Sequence, residues 1–242
     1  MKQLKWIGLI IIISIIQSKS EAKAQDIMKQ NQGFTSKQKS IIFISLFTAK
    51  GRLENLKKEL NTGLEVGLTV NEIKEILVHC YAYCGFPRSI SGLQTFMKVM
   101  DERKAKGIKD NLGTEALPIT SDSSKYERGK KILGDLTGRL QPDKLSGYAA
   151  FSSIIDTFLK EHLFADIFER NVLTYAQREL VTISVISAIG DAEPMLQSHL
   201  AISLKVGISA IQLKEFIEVI KSKVGEKESN AARIVLEEVL KK

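Results

Sequence analysis

Leu173-Thr174-Tyr175-Ala176-Gln177-Arg178-Glu179-Leu180-Val181-Thr182-Ile183-Ser184-Val185-Ile186-Ser187-Ala188-Ile189 is the stretch whose reading decides the fold. Thr174 and Gln177 stand three residues apart just before an apolar run. There the hydroxyl satisfies an early backbone N–H while the glutamine reaches back, which makes a capping box. Positions 180, 181, 183, 185, 186 and 188 are apolar, so nearly every face of the helix is greasy. That pattern predicts a helix enclosed in a bundle rather than one lying on a surface. Phe34-Thr35-Ser36-Lys37-Gln38, followed by apolar positions 41, 42, 44, 46, 47 and 49, repeats the design 139 residues earlier.

Working outward, the echo continues. Leu196, Leu200 and Leu204 form an i, i+4 stripe matched by Leu56, Leu60 and Leu64. Gly207 and Gly67 follow each stripe as C′ glycines, free to adopt positive φ. Ser209 with Gln212, and Thr69 with Glu72, then open a third helix with a second pair of capping boxes. A fourth helix is expected over 227–241 and 88–104. The offset grows to 140 between Gly51 and Leu56, in the turn between helices. Matching starts, stops and stripes at a near-constant offset predict a duplicated helical unit. With four prolines and no alternating strand pattern, the fold class is all-α.

The expected organisation is a leader over 1–24, a first repeat over 25–106, a linker over 107–123 and a second repeat over 124–242. The linker is rich in Gly, Thr, Ser and Asp and contains Pro118. The second repeat starts with a helical extension over 124–170, broken near Gly138 and Pro142.

Lys2 and Lys5, the apolar run from Trp6 to Ile16, and Ala22-Lys23-Ala24 have the layout of an export signal cut near Ala24. The apolar run is about half the ~20 residues that span a bilayer, so no stable membrane insertion is expected after cleavage. The mature chain is then exported, periplasmic or secreted. Removing four lysines and one glutamate leaves 31 basic and 27 acidic residues, a balance of +4 against +7 for the precursor. Those charges are interleaved, as in Lys57-Lys58-Glu59, which describes solvated helix faces. A clustered basic stripe is missing, so nucleic acid is not an expected partner.

The segment from Phe164 to Leu180, then Glu193, His199, Val206-Gly207 and Gln212-Leu213-Lys214-Glu215, resembles the carboxymuconolactone decarboxylase-like family. In the first copy, Tyr83-Cys84-Gly85-Phe86-Pro87-Arg88 is similar to that family's Tyr-Ala-Gly-Phe/Trp-Pro stretch. The resemblance spans most of residues 34–242 and implies tandem helical bundles. It also implies assembly as a ring, here a homotrimer or another homo-oligomer. The family includes the alkylhydroperoxidase D-like peroxidases, whose motif is Cys-x-x-Cys-x-x-x-His. Laid back from His199, that spacing falls on Ala192 and Met195. Laid back from Glu59, which holds the histidine's slot in the first copy, it falls on Arg52 and Asn55. Neither copy carries the redox motif.

His199 is the first candidate for chemistry, since an imidazole exchanges protons near neutral pH. The bland alternative is a packed histidine bonded to a carbonyl. Glu193 stands before Pro194 at a helix start. A carboxylate is favoured there by the helix dipole, and it could also orient the histidine or act as a second acid–base group. Arg178 suits bidentate capture of a substrate carboxylate, or else an ion pair across the bundle. Arg178 and Glu179 point about 100° apart and need not share a partner.

Cys80 and Cys84 read as small buried hydrophobes, because Cβ atoms at i, i+4 lie farther apart than the ~3.8 Å of a disulfide. With His79 they offer three potential ligands within one turn and no fourth, so no metal is expected. No cofactor is expected either, and His162 reads as a surface residue.

These expectations converge on acid–base lyase or isomerase chemistry on a small carboxylated lactone or related enolisable acid. A peroxide reductase and a non-catalytic oligomeric ligand-binding module are the alternatives.

Overall fold

The computed structural model describes residues 32–241, and the leader expected over 1–24 lies outside them. Ten α-helices and one π-helix make up the described residues, with no strand among them. They run α1 (Ser36–Lys50), α2 (Leu53–Glu65), α3 (Val70–Ala105), α4 (Lys125–Thr137), α5 (Gly147–Phe151), α6 (Ser153–Thr157), the π-helix (Phe158–Phe168), α7 (Tyr175–Ile189), α8 (Glu193–Lys205), α9 (Ala210–Lys223) and α10 (Glu226–Leu240). None is long and apolar enough to cross a membrane.

All four expected capping boxes form, at Thr35, Thr69, Thr174 and Ser209. Gly67 and Gly207 take φ of 90° and 98° where their helices stop, a region closed to most side chains. The third and fourth helices expected in the first copy are joined into α3, which breaks only at Gly85 (φ 77°, ψ 165°), two residues before Pro87. A proline cannot donate to the turn before it, and the glycine absorbs the misfit.

α1 and α7, the two helices that are apolar nearly all round, pack against each other at the centre. This contact explains their composition, because each is covered by its partner as well as by its own neighbours. Around it, α3 packs on α7 and α9 touches α7 from the other side. Two ion pairs link the halves in the same sense, one partly exposed and one buried. Lys39 of α1 meets Glu215 of α9 at 2.8 Å, and Arg178 of α7 meets Glu75 of α3 at 2.9 Å. Likewise Ser89 Oγ donates to Leu77 O and Ser229 Oγ donates to Ile217 O. Each pair of contacts is 139 to 140 residues apart, the spacing of the sequence echo.

The segment over 107–123 is not a free tether. Val70 N–H donates to Asn111 O and Asn71 N–H to Leu112 O, both at 3.0 Å, so the segment lies over the start of α3. The extension forms a second, smaller core, where Ile132 and Leu136 of α4 meet Phe164 and Phe168 of the π-helix. Gly129 permits this approach, since a Cβ there would stand 1.7 Å from Lys160 O. Gly129→Ala must push the two helices apart. A cost of about 1–3 kcal/mol, typical of an overpacked core, is expected in urea unfolding. An unchanged midpoint would show that this contact yields freely.

Candidate functional site

Glu179 is the fifth residue of α7 and is wholly enclosed, its relative exposure 0%. A carboxylate inside a helix that is apolar on every side needs a partner. Its partner is His199 of α8, whose Nδ1 lies 2.9 Å from Glu179 Oε2. The tight turn Gly190-Asp191-Ala192 reverses the chain between the two helices and brings them alongside. Asp191 is the one non-glycine residue with positive φ (53°) among the described residues. An ionised carboxylate only accepts, so Nδ1 carries the proton and Nε2 is left facing away from Glu179. The His199 side chain is mostly buried, with 12% of it exposed toward the surface.

Side chains from the first half complete the surroundings. The Tyr83 ring, from α3, stands edge-on to the His199 ring at 5.8 Å and 86°. On its other side it meets His79 at 5.6 Å. Two polar atoms in this cluster are enclosed without a hydrogen-bond partner, the Tyr83 hydroxyl and Glu179 Oε1. Burial, reinforced by the Glu179 charge, pushes the Tyr83 phenol well above the ordinary tyrosine range. Thr182 lies near enough to lower it slightly, yet its geometry leaves the phenol unpartnered.

Beneath the cluster lies a fully buried polar chain. His79 Nδ1 stands 3.2 Å from Arg178 Nη1, and His79 Nε2 stands 2.9 Å from Thr182 Oγ1. A guanidinium only donates, so Nδ1 accepts and Nε2–H donates to Thr182. Burial first, then the charges of Arg178 and His199, hold the His79 imidazole well below its usual range, so it stays neutral. Phe168 of the π-helix seals this ring edge-on at 5.0 Å.

The site residues expected from the sequence separate. His199 lies in the cluster. Glu193 does not reach it: six residues along a helix are about 9 Å of rise and roughly 240° of rotation. It lines a separate shallow cleft with Ser187, Asp191, Leu196 and Glu228. The group that holds the histidine is Glu179, so the orienting role considered for Glu193 falls to a different carboxylate. Arg178 is also corrected as a substrate-binding residue. Its exposure is 0%, and its two Nη groups are held by Glu75, His79 and the Arg170 carbonyl, while Nε is enclosed without a partner. The alternative ion pair across the bundle is the one formed.

Glu179 and Tyr83 were the residues that sequence reasoning did not single out. A lone acid in an otherwise greasy helix was the signal for Glu179. Tyr83 opens the stretch that resembles the family's Tyr-Ala-Gly-Phe/Trp-Pro motif, but nothing in that motif places it at the site, which it reaches from the other half of the chain. Among the described residues, no group of three His, Cys, Asp or Glu side chains is arranged to hold a metal.

Cys80 and Cys84 are free thiols, and Cys84 Sγ donates to Cys80 O at 3.1 Å. Burial lifts Cys80 well above the ordinary thiol range and pushes Cys84 up to about 11. Alkylation of Cys84 by iodoacetamide at pH 7.5 should therefore run about 100-fold slower than that of a free peptide thiol, because only thiolate reacts. Labelling at the peptide rate in the native protein would contradict this placement. His162 is exposed, as expected, and its Nε2 meets the Tyr81 hydroxyl at 2.6 Å.

Residues 155–238, which contain Glu179 and His199, match the model of the Carboxymuconolactone decarboxylase family. The chain is also 29% identical over 122 residues to a 4-carboxymuconolactone decarboxylase of Acinetobacter baylyi. That alignment covers 50% of this chain and 90% of the relative.

Proposed function

We propose that the protein is a carboxymuconolactone decarboxylase-like acid–base lyase or isomerase, a reading supported by the match of residues 155–238 to that family's model. Its substrate is a small carboxylated lactone or a related enolisable acid, and His199 is the group that moves the proton. The observation that carries this reading is the Glu179–His199 pair, an imidazole oriented by a buried carboxylate with its second nitrogen left over for chemistry.

When carbon dioxide leaves an unsaturated lactone acid, the electron pair of the broken bond spreads onto the conjugated carbonyl. The imidazolium form of His199 then delivers its Nε2 proton to carbon, while Glu179 offsets the positive charge on the ring. Solvent restores the proton afterwards. Capture of the substrate's carboxylates falls to groups other than Arg178, which is wholly enclosed and whose two Nη groups are held inside the protein. Thiol-dependent peroxide reduction is disfavoured by two thiols pushed upward by burial.

The reading includes three expectations carried from the sequence. They are the export leader, a first half that is a duplicate of the second, and assembly as a homotrimer or another homo-oligomer. The test is release of carbon dioxide from carboxymuconolactone by the purified mature chain, beside consumption of an organic peroxide. No release would sink the lyase reading, and peroxide turnover that survives loss of both cysteines would sink a thiol route. Sedimentation of the same sample reads whether three chains assemble.

A further inference from the structure

We infer that Tyr83 is a further catalytic residue, donating its phenolic O–H to the substrate oxygen that gathers negative charge as carbon dioxide leaves. This rests on the lyase reading above and adds to it a side chain supplied by the first half of the chain.

Two enclosed polar atoms without partners stand around one imidazole, the Tyr83 hydroxyl and Glu179 Oε1. Proteins seldom leave such atoms unsatisfied, and where they do, strain, a catalytic role, or a water or ion accounts for them. The two differ in what they need. Glu179 Oε1 accepts, whereas the phenol, kept protonated by its burial and by the Glu179 charge, offers a donor. Tyr83 also faces the ring of His199 at 5.8 Å, within the reach of one small substrate. A donor held free before the reaction, its hydroxyl enclosed within the protein, is what a developing oxyanion requires.

The step balances without a further reagent. The bond from ring carbon to carboxylate breaks, and its electron pair passes through the ring double bond to the lactone carbonyl oxygen. Tyr83 keeps its proton and shares it with that oxygen as a hydrogen bond. His199 then protonates carbon, the pair returns from oxygen, and water restores the imidazolium.

Tyr83→Phe separates this role from a structural one. Loss of an oxyanion donor is expected to lower kcat by about 10²-fold with a smaller change in KM. Because the hydroxyl has no partner to lose, the Tm should stay level or rise by about 1–2 °C. Tyr81→Phe is the control, since its hydroxyl pairs with His162 outside the cluster, and its rate should match the parent. Full activity in Tyr83→Phe, or activity lost together with a Tm several degrees lower, overturns the inference.

Should the parent release no carbon dioxide, the lyase reading falls. The Tyr83 seat is then read by titrating the carbonyl-bearing butenolide furan-2(5H)-one against the His199 imidazole resonances. Binding weakened about tenfold in Tyr83→Phe supports the seat. Equal binding in both, or none in the parent, overturns it.

Discussion

Replacing His199 by asparagine is expected to lower kcat for carboxymuconolactone by about 10²- to 10⁴-fold, the range a positioned proton donor contributes. Asparagine keeps a polar side chain near Glu179 and can donate to Oε2, so the enclosed carboxylate stays partnered. Circular dichroism and Tm should therefore stay close to the parent while turnover collapses. A companion change tests why the ring is held as it is. Glu179→Gln puts an amide against Nδ1, which permits the opposite tautomer and turns the Nε2 face from acceptor to donor. That variant should fall in rate with an altered pH profile, not with uniform scaling. Asparagine at 199 leaving the rate within threefold of the parent would remove the histidine from the mechanism and favour a ligand-binding module.

The second large effect is on stability. Glu75 is buried between Arg178, which is fully enclosed, and Arg170, which is half-open to solvent. Removing one partner from a buried pair leaves an uncompensated charge and costs about 3–5 kcal/mol. Glu75→Met should reach that range in urea unfolding, because it strands the Arg178 guanidinium with only a carbonyl and a neutral imidazole. Arg178→Met should cost less, since Arg170 still neutralises Glu75 at 2.9 Å. Combining the two changes should recover much of the loss, as apolar replacement of a whole buried pair commonly does. A Glu75→Met penalty below about 1 kcal/mol would mean that water reaches the pair and that its enclosure is incomplete.

The helical architecture was legible because its signals are local. A capping box needs residues three apart, and an apolar stripe needs residues three and four apart. Thr174 with Gln177 and Ser209 with Gln212 are such signals, and the backbone obeys them. The π-helix over Phe158–Phe168 was not legible. Its apolar pattern fits an ordinary helix, and its close approach to Gly129 comes from a neighbour some thirty residues away.

His199 could be named from its residue type together with the family resemblance around it, and Arg178 and Glu193 from their residue types and positions at helix starts. What each one touches could not. Glu193 is six residues from His199 and turns away from it, while Glu179 is twenty residues away and bonds to it. Arg178 has a side chain suited to a substrate carboxylate, yet it meets Glu75, 103 residues earlier, and has no donor group facing solvent.

The sequence by itself determined an all-α chain of echoing capped helices, since propensity, caps and periodicity act between near neighbours, and its family resemblance marked one histidine worth testing. Only the tertiary structure decided that Glu179 orients that histidine, that Arg178 is interior, and that Tyr83 crosses from the first half to stand beside the imidazole. Those assignments depend on which buried groups find partners when α3 and α7 pack together. Nothing in the spacing of residues along one chain records that.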